Sequence, residues 1–179
     1  MLKLDNTVLV MIDIQTRLWN VMSEKEALAE NAARLLKGLK LLGVPVILTE
    51  QNPRGLGPTL PELSAVLPET RPLPKFCFSC REDAGFRQAL VEANRRQVLL
   101  CGIEAHICVY QTALDLLSAG YETHVLADCV SSRVPRNRDI SLMRMQAEGA
   151  KLATAEMVLY ELLETAENPK FKELLQVIK

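Results

Sequence analysis

The sequence predicts a three-layer α/β/α fold, Rossmann-like, built on a six-stranded, mostly parallel sheet in the order 3-2-1-4-5-6. Three observations carry this expectation. Apolar, β-branched runs alternate with amphipathic helical stretches along the whole chain. The strand-like runs are apolar throughout, as strands covered on both faces are. Of the 179 residues, 49% are apolar, enough to fill such a core in a single domain spanning residues 1–179.

Each element has its own reason. Thr7-Val-Leu-Val-Met-Ile-Asp13 reads as the first strand. Residues 24–42 form a helix with Leu28, Ala32, Leu35, Leu36, Leu39 and Leu42 on one stripe, ended by Gly43. The second strand is 44–49, and a Pro- and Gly-rich loop runs from Gln51 to Leu73. Leu73-Pro-Lys75-Phe76 is a brief third strand. A helix over 83–93 leads to strand four at 97–102. A helix over 106–119, closed by Gly120, leads to strand five at 123–128. A helix over 136–148 ends at Gly149, a sixth strand covers 150–153, and a helix follows over 156–164. The last helix, 169–178, takes Asn168 as N-cap and Pro169 as its first residue. Its stripe of Phe171, Leu174, Leu175 and Ile178 packs on its own domain or forms a subunit contact.

Composition removes several function classes. Lys plus Arg is 21 and Asp plus Glu is 22, so the net charge is −1, without the basic excess of a nucleic-acid binder. Aromatic residues make up 4%, too few for a base-stacking platform. No apolar run approaches the roughly 18–20 residues that span a bilayer. The N-terminus has no signal-peptide pattern. Five cysteines cannot all pair within one chain, and reduced thiols and a cytoplasmic location are expected.

In open parallel sheets ligands bind beyond the carboxyl ends of the strands, near the switch point. There the sequence places Asp13 and Gln15, then Glu50 and Gln51, then Lys75. After strand four comes Gly102-Ile-Glu-Ala-His-Ile-Cys108, and after strand five Asp128, Cys129, Ser131 and Ser132. Cys108 falls in the first turn of a helix, where the helix dipole favours a thiolate and unpaired N–H groups can bind an oxyanion. Asp13 closes an apolar strand, so its carboxylate needs a partner. It is placed to cap a loop or to accept the Cys108 proton, and Lys75 is a partner that would hold its geometry.

At these residues the chain resembles the isochorismatase-like (cysteine) hydrolase superfamily over nearly its whole length. The resemblance rests on Met11-Ile-Asp13-Ile-Gln15, on Lys75 after the long loop, and on Gly102-Ile-Glu-Ala-His-Ile-Cys108-Val-Tyr-Gln-Thr-Ala-Leu-Asp-Leu-Leu117. Thr49-Glu-Gln-Asn-Pro-Arg-Gly-Leu-Gly-Pro-Thr59 and Lys75-Phe-Cys-Phe-Ser79 look most like the isochorismatase domain-containing proteins. The resemblance implies the isochorismatase-like hydrolase fold and a catalytic triad of Asp13, Lys75 and Cys108. It also implies a non-proline cis peptide at Ile103–Glu104 and an oxyanion site at the N–H groups of Glu104 and Cys108. Homo-oligomers are common in the family. The nicotinamidase branch carries Asp-x-His-Pro-x-x-His after strand two, where this chain has Glu50, Asn52, Pro53 and Leu56. Both imidazoles are gone, so neither a metal nor a cofactor is expected.

The remaining signals are weaker. Cys77 and Cys80 have CxxC spacing but no second pair, so they read as two unrelated thiols near the site. His106 is two residues from Cys108, on a different helix face, which argues against a direct dyad and for a place in the pocket or a subunit contact. His124 reads as structural. Arg133, Arg136 and Arg138 read as solvated helix-start charge, or an anion site. Gln15, Trp19 and Gln51 are placed in the substrate pocket, although core packing explains Trp19 equally well.

The expected function is hydrolysis of a small amide or related carbonyl compound through a Cys108 thiolate. The alternatives are ether hydrolysis by proton transfer, a catalytically silent oligomeric interaction protein, and a redox sensor using Cys77 and Cys80. The expected partners are a small-molecule substrate and further copies of the chain, with no nucleic acid and no membrane.

Overall fold

A computed structural model describes all 179 residues. Six strands form one sheet: β1 (Thr7–Ile12), β2 (Val46–Gln51), β3 (Leu73–Lys75), β4 (Gln97–Ile103), β5 (Glu122–Ser131) and β6 (Lys151–Ala153). Every pairing is parallel, in the order β3-β2-β1-β4-β5-β6. The helices are α1 (Thr16–Trp19), α2 (Lys25–Leu42), α3 (Pro53–Leu56), α4 (Pro61–Ser64), α5 (Ala84–Ala93), α6 (Tyr110–Ser118), α7 (Pro135–Ala147), α8 (Ala155–Leu163) and α9 (Phe171–Ile178). None is long and apolar enough to cross a membrane.

The two-residue period of a strand divides the core in two. Leu9, Met11, Leu48, Leu99, Cys101 and Ile103 face α2, α8 and α9. Val8, Val10, Ile12, Ile47, Val98 and Leu100 face α5, α6 and α7. All six residues of β1 and all seven of β4 are buried, which accounts for their unbroken apolar sequence.

The expected elements shift at their ends for identifiable reasons. Strand two begins at Val46 rather than residue 44 and runs on to Gln51. Pro45 has no N–H for the ladder, and its carbonyl accepts from Leu9 N. Strand five passes its expected end at 128, because a register shift relative to β4 lets it continue to Ser131. The bulged Asp128 turns its carboxylate onto the first N–H of α8, at 2.9 and 3.1 Å from Ala155 N. The last helix begins at Phe171 with Lys170 as N-cap, so Pro169 lies outside it; Asn168 accepts Lys170 N and Phe171 N in the turn before. Phe171, Leu174 and Ile178 pack against the core cluster on the α2 side, so this stripe serves the chain's own fold.

The stretch expected as a long loop is ordered. It contains α3 and α4 and is tied to the end of β1 by an antiparallel bridge between Gln15 and Thr59. Thr16 N donates to Pro58 O, and Leu60 N to Ile14 O, both at 3.0 Å.

Candidate active site

The sheet order delivers the candidate residues in sequence across its carboxyl edge. Lys75 ends β3, Gln51 ends β2 with Thr49 two residues before it, Asp13 follows β1, and Cys108 follows β4. Asp13 continues the ladder, its N–H donating to Thr49 O at 3.2 Å, but adopts a left-handed φ of 55°. That conformation costs about 1 kcal/mol in a residue with a Cβ, and Asp is among the residues that tolerate it best. Ile12, the residue before Asp13, pairs with Gly102, and the φ of 130° and missing side chain of Gly102 allow the two strands to close. A Cβ at Gly102 would lie 2.0 Å from Ile12 O.

The Asp13 side chain is wholly buried, and both its oxygens are used. Oδ2 accepts from Lys75 Nζ at 2.7 Å, and Oδ1 accepts from Thr49 Oγ1 at 2.7 Å. Lys75, itself 1% exposed, also donates to Gln51 Oε1 at 2.8 Å and approaches the carbonyls of Cys77 (3.2 Å) and Phe78 (3.3 Å). Burial works against the ammonium, but the Asp13 charge and the Cys80 and Cys108 sulfurs more than offset it and hold its pKa above the ordinary 10.5.

Cys108 lies in a π-helical turn, Ala105–Val109, that precedes α6, and is 6% exposed. This corrects the expectation of an open first α-helical turn favouring a thiolate. Burial pushes the Cys108 thiol up, and the Asp13 charge pushes it further. Lys75 only partly opposes them. The resting sulfur is therefore a protonated thiol in the field of a buried carboxylate. The Ile103–Glu104 peptide is cis.

The other candidates separate into those joined to this centre and those that are not. Gln51 binds Lys75 directly, and its Nε2 donates to Phe76 O at 2.8 Å. Gln15, fully buried, acts as a bracket: its amide donates to Gln51 O and Gly57 O and accepts from Gln51 N at 2.8 Å. Trp19 instead packs against the α2-side core, with its indole N–H on Lys25 O at 2.8 Å and the Lys25 ammonium 4.7 Å from its ring centre. His106 points to the α7 side. Its Nδ1 is 2.9 Å from Ser132 Oγ, and it lines a surface cavity of about 230 Å³ with Tyr110, Asn137, Ile140, Ser141 and Arg144. Glu50 accepts Thr59 N and Oγ1 at 2.7 and 2.8 Å, fastening the ordered loop. His124 pairs with Glu122 at 3.0 Å.

Two residues of the centre, Thr49 and Cys80, are not among the expected catalytic or pocket residues, although Cys80 is expected as a thiol near the site. In the sequence Thr49 marks the end of strand two and the start of the stretch that carries the resemblance, with no role at Asp13 expected of it. Cys80 is fully buried, its Sγ 3.9 Å from Thr49 Oγ1 and its N–H on Thr112 Oγ1 at 2.9 Å. Burial raises its thiol, with Lys75 opposing and Asp13 adding, to about 12.

The model of the isochorismatase domain matches residues 7–157. The chain belongs to the isochorismatase family. It is 41% identical to isochorismatase domain-containing protein 2A of Mus musculus over 175 residues, covering 98% of this chain and 84% of the relative. Among solved structures, the MAR1 ribonuclease from Caenorhabditis elegans superposes with a TM-score of 0.93 at 34% identity, covering 99% of this chain and 91% of its own. The Escherichia coli YcaC gene product, an octameric hydrolase of unknown specificity, superposes with a TM-score of 0.90 at 23% identity, covering 99% and 95%. The all-parallel 3-2-1-4-5-6 sheet of this isochorismatase-family chain is the fold of these neighbours.

Proposed function

We propose that this isochorismatase-family protein hydrolyses a small amide or related carbonyl compound, with Cys108 as nucleophile, Asp13 as base and Lys75 as the cation that holds Asp13. One observation carries the reading. A fully buried carboxylate is fixed by Lys75 and Thr49 at 2.7 Å each, and its charge is felt at the buried Cys108 thiol that follows the neighbouring strand. Because the resting thiol keeps its proton, attack requires Asp13 to remove that proton as the bond forms. The sulfur bonds to the substrate carbon, and the carbonyl electron pair moves to oxygen, where the N–H groups of Glu104 and Cys108 receive it. The C–N bond then breaks, and the proton on Asp13 goes to the leaving amine. Water, losing a proton to Asp13, attacks the thioester; the carbon–sulfur bond breaks and the proton returns to sulfur. The sum is amide plus water to acid plus amine.

The name of the C. elegans neighbour raises RNA cleavage as a second reading. A phosphodiester backbone demands a cationic track, and this chain has a net charge of −1 with 4% aromatic residues. The amide reading therefore stands first. The test is a panel of small amides and esters beside an RNA oligonucleotide, with Cys108→Ala and Asp13→Asn. Amide turnover lost in both variants supports the mechanism. Turnover that survives Cys108→Ala but not Asp13→Asn overturns it in favour of proton-transfer hydrolysis. Cleavage of RNA alone overturns the substrate class.

The same reading includes self-association, as the octameric E. coli neighbour exemplifies, and native mass spectrometry tests it. Five free thiols fit a reducing compartment, and we place the protein in the cytoplasm on that ground.

A further inference from the structure

We infer that Arg133 is a positioning residue for catalysis, acting through Glu104 to set the backbone turn that carries Cys108. The inference rests on Cys108 being the nucleophile. Glu104 occupies a particular place: its carbonyl accepts from Ile107 N at 3.0 Å and from Val109 N at 3.3 Å, the two residues that flank Cys108. Whatever fixes Glu104 therefore fixes the turn on both sides of the thiol.

Its side chain is fixed from one direction. Glu104 is 7% exposed, a cost for a carboxylate that only charged or N–H partners offset. Oε2 accepts from Arg133 N at 3.0 Å, and the Arg133 Nε lies 3.1 Å from Oε1 and 3.2 Å from Oε2. Backbone and guanidinium of one residue thus grip one carboxylate, a charge-assisted and directional arrangement. A second tie joins the same two segments, His106 Nδ1 to Ser132 Oγ at 2.9 Å. The segment that holds the turn is itself anchored. Ser132 O accepts from Ser23 Oγ at 2.6 Å, and Ser131 Oγ donates to Ser23 O at 2.6 Å. The polar chain runs from the segment before α2, through residues 131–133, to the turn bearing Cys108. Arg133 is 60% exposed, so its removal opens no core cavity. The expected solvated helix-start charge is instead the outer end of this clamp.

The consequence is chemical. If the clamp aims the N–H groups of Glu104 and Cys108, its loss weakens reactions that load charge onto a substrate oxygen more than reactions that do not. Acrylamide and iodoacetamide make that distinction at one sulfur. In conjugate addition of the Cys108 thiol to acrylamide, the sulfur–carbon bond forms, the C=C π pair moves toward the amide oxygen, and the thiol proton ends on the α-carbon. In alkylation by iodoacetamide the sulfur displaces iodide, and the carbonyl oxygen gains no full charge.

The experiment measures both rates at Cys108 by peptide mass spectrometry at alkaline pH, with Cys77 as internal control, in the whole protein and in Arg133→Ala, Arg133→Lys and Glu104→Gln. We expect acrylamide addition at Cys108 to fall on the order of tenfold in Arg133→Ala, iodoacetamide labelling to change far less, and Arg133→Lys to restore part of the loss. Glu104→Gln, which keeps an acceptor for Arg133 N but drops the charge, should fall between them, and it keeps the test open if Arg133→Ala does not fold. An unchanged ratio of the two rates overturns the inference. So does a change confined to the half-saturating acrylamide concentration, which would make Arg133 a ligand-binding group. If Cys108 of the unaltered protein reacts with neither reagent while Cys77 reacts with both, the nucleophile assignment fails instead.

Discussion

Lys75 Nζ lies 2.7 Å from Asp13 Oδ2, with the two side chains 1% and 0% exposed, and this contact is both the electrostatic support of the site and its main liability. Two desolvated charges are tolerable only as a pair with their remaining valences filled. Here Thr49, Gln51 and two backbone carbonyls fill them. Lys75→Met keeps much of the volume and leaves Asp13 buried without its cation. We expect a loss of about 3–5 kcal/mol in urea unfolding and no turnover. A variant as stable as the parent would show that the ion pair contributes nothing net to the fold.

Asp13→Asn removes the group that, after burial, does most to hold the proton on Cys108. Burial still raises the thiol, but Lys75 then opposes it without the Asp13 charge on the other side. The midpoint of the pH profile for Cys108 alkylation should move to lower pH while amide turnover disappears. A thiol made easier to ionise but catalytically dead would separate the two roles of Asp13. A midpoint that stayed still or rose would contradict the electrostatic account.

The buried site should make the protein sensitive to base. Cys80 rises from the ordinary 9.0 to about 12, chiefly through burial, and Cys108 and Lys75 shift in the same direction. Each holds its proton more tightly folded than unfolded. Their contribution is therefore complete below pH 9.0 and is lost as the pH climbs toward 12. The urea midpoint, followed through that window, should fall. Buried Cys101 and Cys129 shift the same way, so Cys80→Ala should flatten the fall only in part, and an unchanged slope would remove Cys80 from the explanation.

Gly102→Ala tests the close approach that seats Asp13. The added carbon would meet Ile12 O at 2.0 Å, and the backbone there is in a conformation side chains rarely adopt. Nothing nearby is the far end of a flexible side chain, so the strands must part. We expect destabilisation of about 3 kcal/mol or more by thermal unfolding, or loss of folding. A change under about 1 kcal/mol would mean that β1 and β4 separate easily.

The architecture was legible because its strongest signals are local. Unbroken apolar runs marked β1 and β4, and Gly43, in the left-handed conformation, stops α2 where the stripe ends. Boundaries slipped where a distant partner decides them. Nothing near Asp128 in the sequence announces that β5 bulges to reach Ala155 N, or that the 51–73 stretch folds down on Gln15. The site followed the same division. Asp13, Lys75 and Cys108 stand at strand ends, where the topology rule looks. The protonated state of Cys108 depends on its burial and on a carboxylate from another strand, neither of which is a local property. The grip of Arg133 on Glu104 joins positions 29 apart and was unreadable for the same reason.

β3 is three residues long and lies at the outer edge of the sheet, yet it supplies the only ammonium bound to Asp13. Short edge elements open far more often than the core that supports them. The site can therefore lose its cation by fraying of one margin while the other five strands stay closed. Amide hydrogen exchange in β3, rather than global melting, should track how long the protein keeps its activity on warming. Crosslinking or otherwise tethering that margin is the route to a more durable protein.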